Sequence, residues 1–283
     1  MNRNNVIRNG QFAGNNLIKN FKVGSSETIC KETSLILFDR NYYNWLIGFT
    51  EGDGSFVLPT KGLPQFEITQ SLIDIDVLYG IKEFLGFGTI VKRTEESRNV
   101  GVYQVIGNRT SLTTLAYIFN GKLRCPERQR KFKMWVEKLD IKDFVLIDST
   151  LPVTLEDGWL SGFSDAESCF EVRCRKNYNR LNINLRYSLS QKTPDILEKI
   201  KGCFNFNGKV NFDKSWEGYR LGCENHKHQK IVIQYFNKFP LKTKKKIDFL
   251  RFKNIWSDKE NKLHLSEDGF KIVSKKINKF KKV

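Results

Sequence analysis

The sequence has no long apolar run. Nowhere does it approach the roughly 18 uninterrupted apolar residues that a membrane-spanning helix needs, so no membrane element is expected. The opening residues, MNRNNVIRNGQFAGNN, lack the apolar stretch of a secretory signal and have only weak transit-peptide character. Cysteine is sparse and scattered. The six residues Cys30, Cys125, Cys169, Cys174, Cys203 and Cys223 form no CxxC pair, which excludes the common zinc-ribbon and redox spacings. Free, mostly buried thiols in a reduced compartment are expected. Cys223, His226 and His228 gather three zinc-type ligands without a fourth; a solvated loop or helix start is the expectation there.

Acidic residues are in short supply. Against 48 Lys and Arg stand 31 Asp and Glu, a net charge of +17. Solubility does not require such an excess, which points to a polyanionic partner, nucleic acid or an anionic surface. A hydrophobic content of 40%, with 13% aromatic, is enough to bury a core. A length of 283 residues suggests two domains or one large one.

The chain contains itself twice. Trp45-Leu-Ile-Gly-Phe-Thr-Glu-Gly-Asp-Gly-Ser-Phe56 aligns with Trp159-Leu-Ser-Gly-Phe-Ser-Asp-Ala-Glu-Ser-Cys-Phe170 at a constant offset of 114. Most of the differences preserve chemistry: Thr50 pairs with Ser164, Glu51 with Asp165, Gly52 with Ala166, Asp53 with Glu167. Downstream, Phe66–Gln70 matches Tyr187–Gln191, and Ile118-Phe-Asn120 matches Tyr235-Phe-Asn237, the offset drifting to 121 and back to 117 as loop insertions produce. The organisation expected is an N-terminal extension over 1–38, a first half over 39–140, a linker over 141–153, a second half over 154–258 and a basic tail over 259–283.

Within the first half, apolar spacing predicts a helix over 40–52, strands over 54–60 and 64–72 turning at Lys61-Gly62, and a helix over 74–85. A second strand pair follows over 87–93 and 99–107, then helices over 110–120 and 127–138. The second half repeats this order. Thr154, with Asp157 three residues on, is the candidate N-cap of its first helix. Phe270, Val273 and Ile277 suggest a short amphipathic helix in the tail.

Gly48 and Gly52 fall at i and i+4 inside the first helix, and Gly162 and Ala166 occupy the same places in the second copy. A mid-helix glycine costs about 1 kcal/mol relative to alanine, so two in one turn call for compensation. Small residues on one face let two helix backbones approach closely. Packed side by side in one direction, the two helices would bring Asp53 and Glu167 together at their C-terminal ends. Those ends already carry partial negative charge, and a pair of carboxylates there is unfavourable without a cation. Hard oxygen ligands suit Mg²⁺, and such a site in a strongly basic chain fits metal-assisted phosphodiester chemistry.

These residues resemble the LAGLIDADG homing endonucleases in their single-chain, two-motif form. The motifs read Leu46-Ile-Gly-Phe-Thr-Glu-Gly-Asp-Gly54 and Leu160-Ser-Gly-Phe-Ser-Asp-Ala-Glu-Ser168, and the resemblance covers about residues 40–258. Ser168 stands where glycine is usual, and Ile47 and Ser161 replace the usual alanine. The resemblance implies an α+β fold of two pseudo-symmetric α-β-β-α-β-β-α repeats whose antiparallel sheets form a saddle on double-stranded DNA. It implies a monomer that cuts both strands across the minor groove and leaves short 3′ overhangs. The metal site would comprise Asp53 and Glu167 with the preceding Gly52 and Ala166, holding Mg²⁺ or another divalent ion such as Mn²⁺ or Ca²⁺. Gln70 and Gln191, which share the parity of buried residues, would point at the motif helices and organise the site. Lys244 or Lys245 would stand near the scissile phosphate; the matching first-half stretch, Arg124 to Arg128, has no lysine, so Arg124 or Arg128 would substitute. Family hosts are typically organelle introns, and the Asn-, Lys-, Ile- and Phe-heavy composition fits AT-rich mitochondrial coding. The rival is a maturase acting on group I intron RNA; retention of both acids favours cleavage.

The base-reading surface is predicted from strand alternation. Asn182, Asn184, Arg186, Ser188 and Ser190 share one face of a strand whose other face is apolar, and Arg173 and Arg175 share a face of its partner. Asn and Arg suit bidentate contacts with adenine and guanine. In the first half the corresponding residues are Gln65, Glu67, Thr69 and Ser71, with Lys61, Lys92 and Arg93 supplying charge. The remaining basic residues would hold phosphates.

Overall fold

The computed structural model describes residues 40–95, 98–177 and 180–280. The N-terminal extension predicted over 1–38 lies outside them.

The first half comprises α1 (Arg40–Asp53), β1 (Gly54–Val57), β2 (Gln65–Ser71), α2 (Ile75–Leu85), β3 (Thr89–Glu95), β4 (Arg98–Val105), α3 (Arg109–Phe119) and α4 (Pro126–Leu139). The second comprises α5 (Trp159–Glu167), β5 (Ser168–Asn177), β6 (Arg180–Gln191), α6 (Asp195–Phe204), β7 (Val210–Asp213), β8 (Gly218–Cys223), α7 (His226–Lys238) and α8 (Lys245–Glu260). A last helix, α9 (Glu267–Phe280), follows. Each half thus runs α-β-β-α-β-β-α with a further helix at its end. The sheets are antiparallel with equivalent orders, β1-β2-β4-β3 and β5-β6-β8-β7. The duplication inferred from the sequence is therefore a duplication of topology.

Local chemistry explains the boundaries. The helix α2 ends at Gly86, whose φ of +75° forms a left-handed cap. Asn108 caps α3, its side chain accepting from the Ser111 N–H at 3.0 Å. Asn225 caps α7 in the same way, accepting from Lys227 and His228. Pro126 occupies the first turn of α4, where no N–H is needed. The predicted cap at Thr154 is not used. Thr154 Oγ1 accepts from Glu156 N in a turn, and α5 begins only at Trp159, whose N–H is taken by Asp157 Oδ1 at 3.0 Å. Asp157 also binds the Arg124 guanidinium at 2.5 Å, so a cross-half ion pair sets where this helix starts.

The cores repeat as faithfully as the topology. Phe56, Phe66, Phe119, Phe132 and Trp135 pack together in the first half, and Phe170, Tyr187, Phe236, Phe249 and Phe252 fill the equivalent places in the second. Burying a large apolar side chain contributes about 1.5–3 kcal/mol. These clusters fix one face of each sheet against its helices and leave the opposite face polar.

The linker and the tail are not loose appendages. Asn120 donates to Val145 O and accepts from Ile147 N, pinning the extended linker to the first half. The tail helix α9 packs on α8 and β5 through Val273 and Ile277, both buried as the amphipathic spacing requires.

Candidate active site

The two motif helices, α1 and α5, meet backbone to backbone. A Cβ added at Gly48 would fall 1.9 Å from Trp159 O, and one at Gly162 would fall 1.8 Å from Trp45 O. One turn on, a Cβ at Gly52 would lie 2.2 Å from the Cβ of Ala166. The glycine stripe is thus the contact surface, and no side chain fits at its centre.

Each motif carries two acids, and they divide the work. Glu51 and Asp165 are 1% and 2% exposed and lock the halves together. Trp45 Nε1 donates to Asp165 Oδ2 at 2.8 Å, and Trp159 Nε1 donates to Glu51 Oε2 at 2.5 Å. Backbone N–H groups complete each carboxylate: Arg124 and Cys125 donate to Glu51, and Lys242 and Thr243 donate to Asp165. Burial pushes the Glu51 carboxyl up to about 7 despite those donors, and raises Asp165 as well.

The other two acids, Asp53 and Glu167, lie at the helix ends, where a Cβ at Gly52 would stand 3.5 Å from Glu167 Oε1. Gln70 Nε2 donates to Asp53 Oδ2 at 2.5 Å, and the Gln191 side chain bonds Glu167. Burial raises both carboxyls, Glu167 to about 7, where the neighbouring Asp53 adds to the effect. Such a pair is costly when ionised and unneutralised. It is a donor set that fits a hard dication.

Basic side chains close the helix ends symmetrically. Lys245 Nζ donates to Ala166 O at 2.7 Å. On the other side the Arg128 guanidinium donates to Glu51 O, Gly52 O and Gly54 O at 2.6–2.8 Å. Burial lowers the Lys245 ammonium, and Asp53, Asp165 and Glu167 partly restore it. Of the two arginines expected to stand in for the missing lysine, Arg128 fills in the first half the place Lys245 fills in the second. The offset of 117 already relates these two positions. Arg124 has a different task, 5% exposed and stacked 5.0 Å from the Trp159 ring centroid. Lys244 is exposed, and its backbone N–H donates to Asp74 Oδ1 at 2.6 Å.

A cleft opens over the helix ends, lined by Asp53, Thr69, Gln70, Asp74, Lys244 and Lys245. From it the polar sheet faces extend. Asn182, Asn184, Arg173 and Arg175 are exposed, and Arg186 and Ser190 are half-buried. Ser188 is on that face but only 4% exposed, covered between Glu171 and the neighbouring strand. In the first sheet Thr69 is exposed and Gln65 and Glu67 half-buried, with Lys61 exposed in the loop after β1. Among the described residues no His, Cys, Asp and Glu cluster forms a zinc-type site. Cys223 is buried in β8, His226 stacks on Trp256, and His228 lies against Phe206. No helix among the described residues is long and apolar enough to cross a membrane.

Sequence reasoning missed the lock formed by Glu51 and Asp165. The matched Trp45 and Trp159, each buried with one indole N–H to satisfy, were the available signal.

Comparison with known proteins agrees with this geometry. The chain is 36% identical over 282 residues to a probable intron-encoded endonuclease of Neurospora crassa, covering 96% of this chain and 49% of the relative. It therefore spans about half the length of that protein. It is 26% identical to the intron-encoded RNA maturase bI4 of Saccharomyces cerevisiae over 75% of this chain and 32% of the relative. Its fold is similar to that of the LAGLIDADG meganuclease I-AabMI bound to uncleaved DNA, with a TM-score of 0.66, 21% identity, and coverage of 83% of this chain and 98% of the other. A comparable fit, TM-score 0.65 at 16% identity over 83% of this chain and 97% of the other, is found for the meganuclease I-SmaMI on its DNA target with calcium ions. The family model described as LAGLIDADG endonuclease matches twice, over residues 46–139 and 160–256, each match beginning inside one of the two packed helices. Two motif helices in backbone contact, two sheets of equivalent order and two matches to one model lead to a single assignment: the chain belongs to the LAGLIDADG endonuclease family.

Proposed function

We propose that this chain is a site-specific, divalent-metal-dependent endonuclease that cuts both strands of a double-stranded DNA target and leaves short 3′ overhangs. The observation that carries the reading is the pairing of Asp53 and Glu167 on the dyad, with raised carboxyl pKa values and Arg128 and Lys245 beside them.

The site fits a dication held by Asp53 and Glu167, with the carbonyls of Gly52 and Ala166 in reach. Bound there, Mg²⁺ or a similar ion would supply Lewis acidity and a water of lowered pKa. The chain's own residues do the positioning. Gln70 and Gln191 fix the two carboxylates through hydrogen bonds. Arg128 and Lys245 place positive charge where a phosphate would approach, while the exposed Lys244 lines the cleft as a phosphate contact. The sheet faces hold the target in register, reading base edges through Asn182, Asn184 and Arg186. Two equivalent acids at one dyad match a reaction performed once on each strand by a single chain. The names of its relatives support an intron-encoded protein, with the mitochondrion or another organelle as the site of action.

The test is cleavage of the host gene's uninterrupted DNA with Mg²⁺ by the wild type, Asp53→Asn and Glu167→Gln. The wild type should cut, and each variant should bind in Ca²⁺ without cutting. Binding without cutting by the wild type would remove the enzyme reading. Cutting by the variants at wild-type rate would remove the site assignment. Incubation with the intron transcript tests the rival activity, splicing of group I intron RNA.

A further inference from the structure

The polar face of the second sheet carries an arrangement that cleavage chemistry does not explain. Three carboxylates lie on a surface expected to meet a polyanion, and each is paired with an arginine. Arg173 bonds Glu171 at 2.8 Å, Arg220 stands 3.8 Å from Asp213, and Arg186 Nε stands 3.6 Å from Glu224 Oε1. Among the described residues, the corresponding face of the first sheet carries no arginine–carboxylate pair. Exposed ion pairs add little to stability, and acids on this surface oppose phosphate binding. Their presence calls for another role.

Arg186 is the most enclosed of the three arginines, and its contact with Glu224 is an ion pair without a hydrogen bond. Arg186 projects from β6, opposite Glu171 on β5. Its guanidinium lies flat over Gly222 of β8: a Cβ there would come within 2.8 Å of Nε and 2.9 Å of Nη2. The Nε atom is shielded from solvent and makes no hydrogen bond, and among the described residues none occupies the Nη groups. Glu224 also accepts from Asn184 Nδ2 at 3.2 Å, two residues along the same strand face. One carboxylate thus steers both side chains, and a polar hollow lined by Lys209, Asn211 and Glu224 opens beside Arg186.

We propose that Glu224 is a positioning residue for sequence recognition, holding Arg186 with both Nη groups presented to the O6 and N7 of one guanine in the major groove, with Asn184 set on the adjoining base. An arginine fork gives bidentate guanine contact only when its plane is fixed. Gly222 supplies the floor and Glu224 the orientation. Guanine discrimination is accordingly concentrated in the half-site under the second sheet. The inference rests on the DNA-cutting reading above and deepens it.

The experiment is selection of bound duplexes from a randomised pool by the full chain in Ca²⁺, with the wild type, Arg186→Ala, Glu224→Ala and Glu224→Asp. A wild type that selects no consensus overturns the DNA reading itself. With a wild-type consensus in hand, Arg186→Ala and Glu224→Ala should lose guanine preference at the same single position, about 10-fold, and Glu224→Asp should restore part of it. Binding of a scrambled duplex separates orientation from damage. It should weaken in Arg186→Ala and hold or tighten in Glu224→Ala, because an acid has been removed. An unchanged profile in Glu224→Ala, or an equal loss on cognate and scrambled DNA, overturns the inference.

Discussion

Trp45 donates its indole N–H to Asp165, a residue 120 positions away in the other half, at 2.8 Å. Trp159 makes the mirror bond to Glu51. The half-to-half interface is therefore cross-stitched: each helix supplies an acid for the other's tryptophan, and each acid is completed by the backbone of its own half. Removing either carboxylate strands an indole N–H and backbone N–H groups in a dry interface. Glu51→Ala and Asp165→Ala should each lower unfolding free energy by about 2–4 kcal/mol, read from urea melts.

Gly48 and Gly162 give the opposite of the usual substitution rule. A helix-interior glycine changed to alanine ordinarily gains about 1 kcal/mol. Here the new methyl would meet a carbonyl oxygen at under 2 Å. Gly48→Ala and Gly162→Ala should destabilise by several kcal/mol, as backbone shifts in overpacked cores do, and denaturation midpoints would show it. A neutral or stabilising result would mean the helices do not touch along this stripe.

The acids predict an unusual pH dependence for the metal-free protein. Burial and Asp53 raise Glu167 from 4.5 to about 7, so between those values the folded state binds more protons than the unfolded one. Stability should be fully present below pH 4.5 and fall as pH rises through about 7. Glu51 acts with the same sign. A shift of this size corresponds to about 3 kcal/mol. Thermal melts at pH 5.5 and 7.5 should show a higher Tm at the lower pH. Glu167→Gln should flatten the slope, and added Mg²⁺ or Ca²⁺ should raise Tm most at the higher pH.

Arg128 and Lys245 hold equivalent stations, so loss of either should impair turnover without abolishing target binding. Arg128→Ala and Lys245→Met should each slow cleavage by at least 10-fold, with nicked duplex accumulating where one strand is affected more. Strand-specific end labels would resolve the two rates. Arg128→Lys should recover less than full activity, since one ammonium cannot replace three guanidinium bonds.

Exposed basic residues on the cleft should contribute affinity without specificity. Replacing Lys244 by alanine should reduce the slope of log K against log salt by about 1 and weaken all sequences alike. Titrations on cognate and scrambled duplexes between 50 and 200 mM salt would measure this.

Much of this architecture was legible because duplication writes the same message twice. The matched glycines, acids and strand alternation located α1 and the C-terminal end of α5 within a residue or two, but not where α5 begins. Gln70 has the parity of Phe66 and Ile68, and its side chain donates to Asp53 at the end of α1. Other features depend on distance in space. Thr154 has the composition of a cap, but the ion pair of Asp157 with Arg124 displaces the helix start. The sequence left Arg124 and Arg128 as alternatives in the first half; only the three carbonyls that Arg128 reaches, and the Trp159 ring that Arg124 covers, tell them apart. Ser188 obeys strand parity, yet its neighbours cover it.

The covalent joining of the halves has one further consequence. Because Asn120 ties the linker to the first half and the glycine stripe fixes the dyad, only the central helices are bound to mutual likeness. The outer strands answer to no partner copy. The polar face of one sheet carries glutamine and threonine, that of the other arginine and asparagine. If the proposed function holds, a chain built this way is released from palindromes, and each flank of its target can be rewritten without disturbing the other.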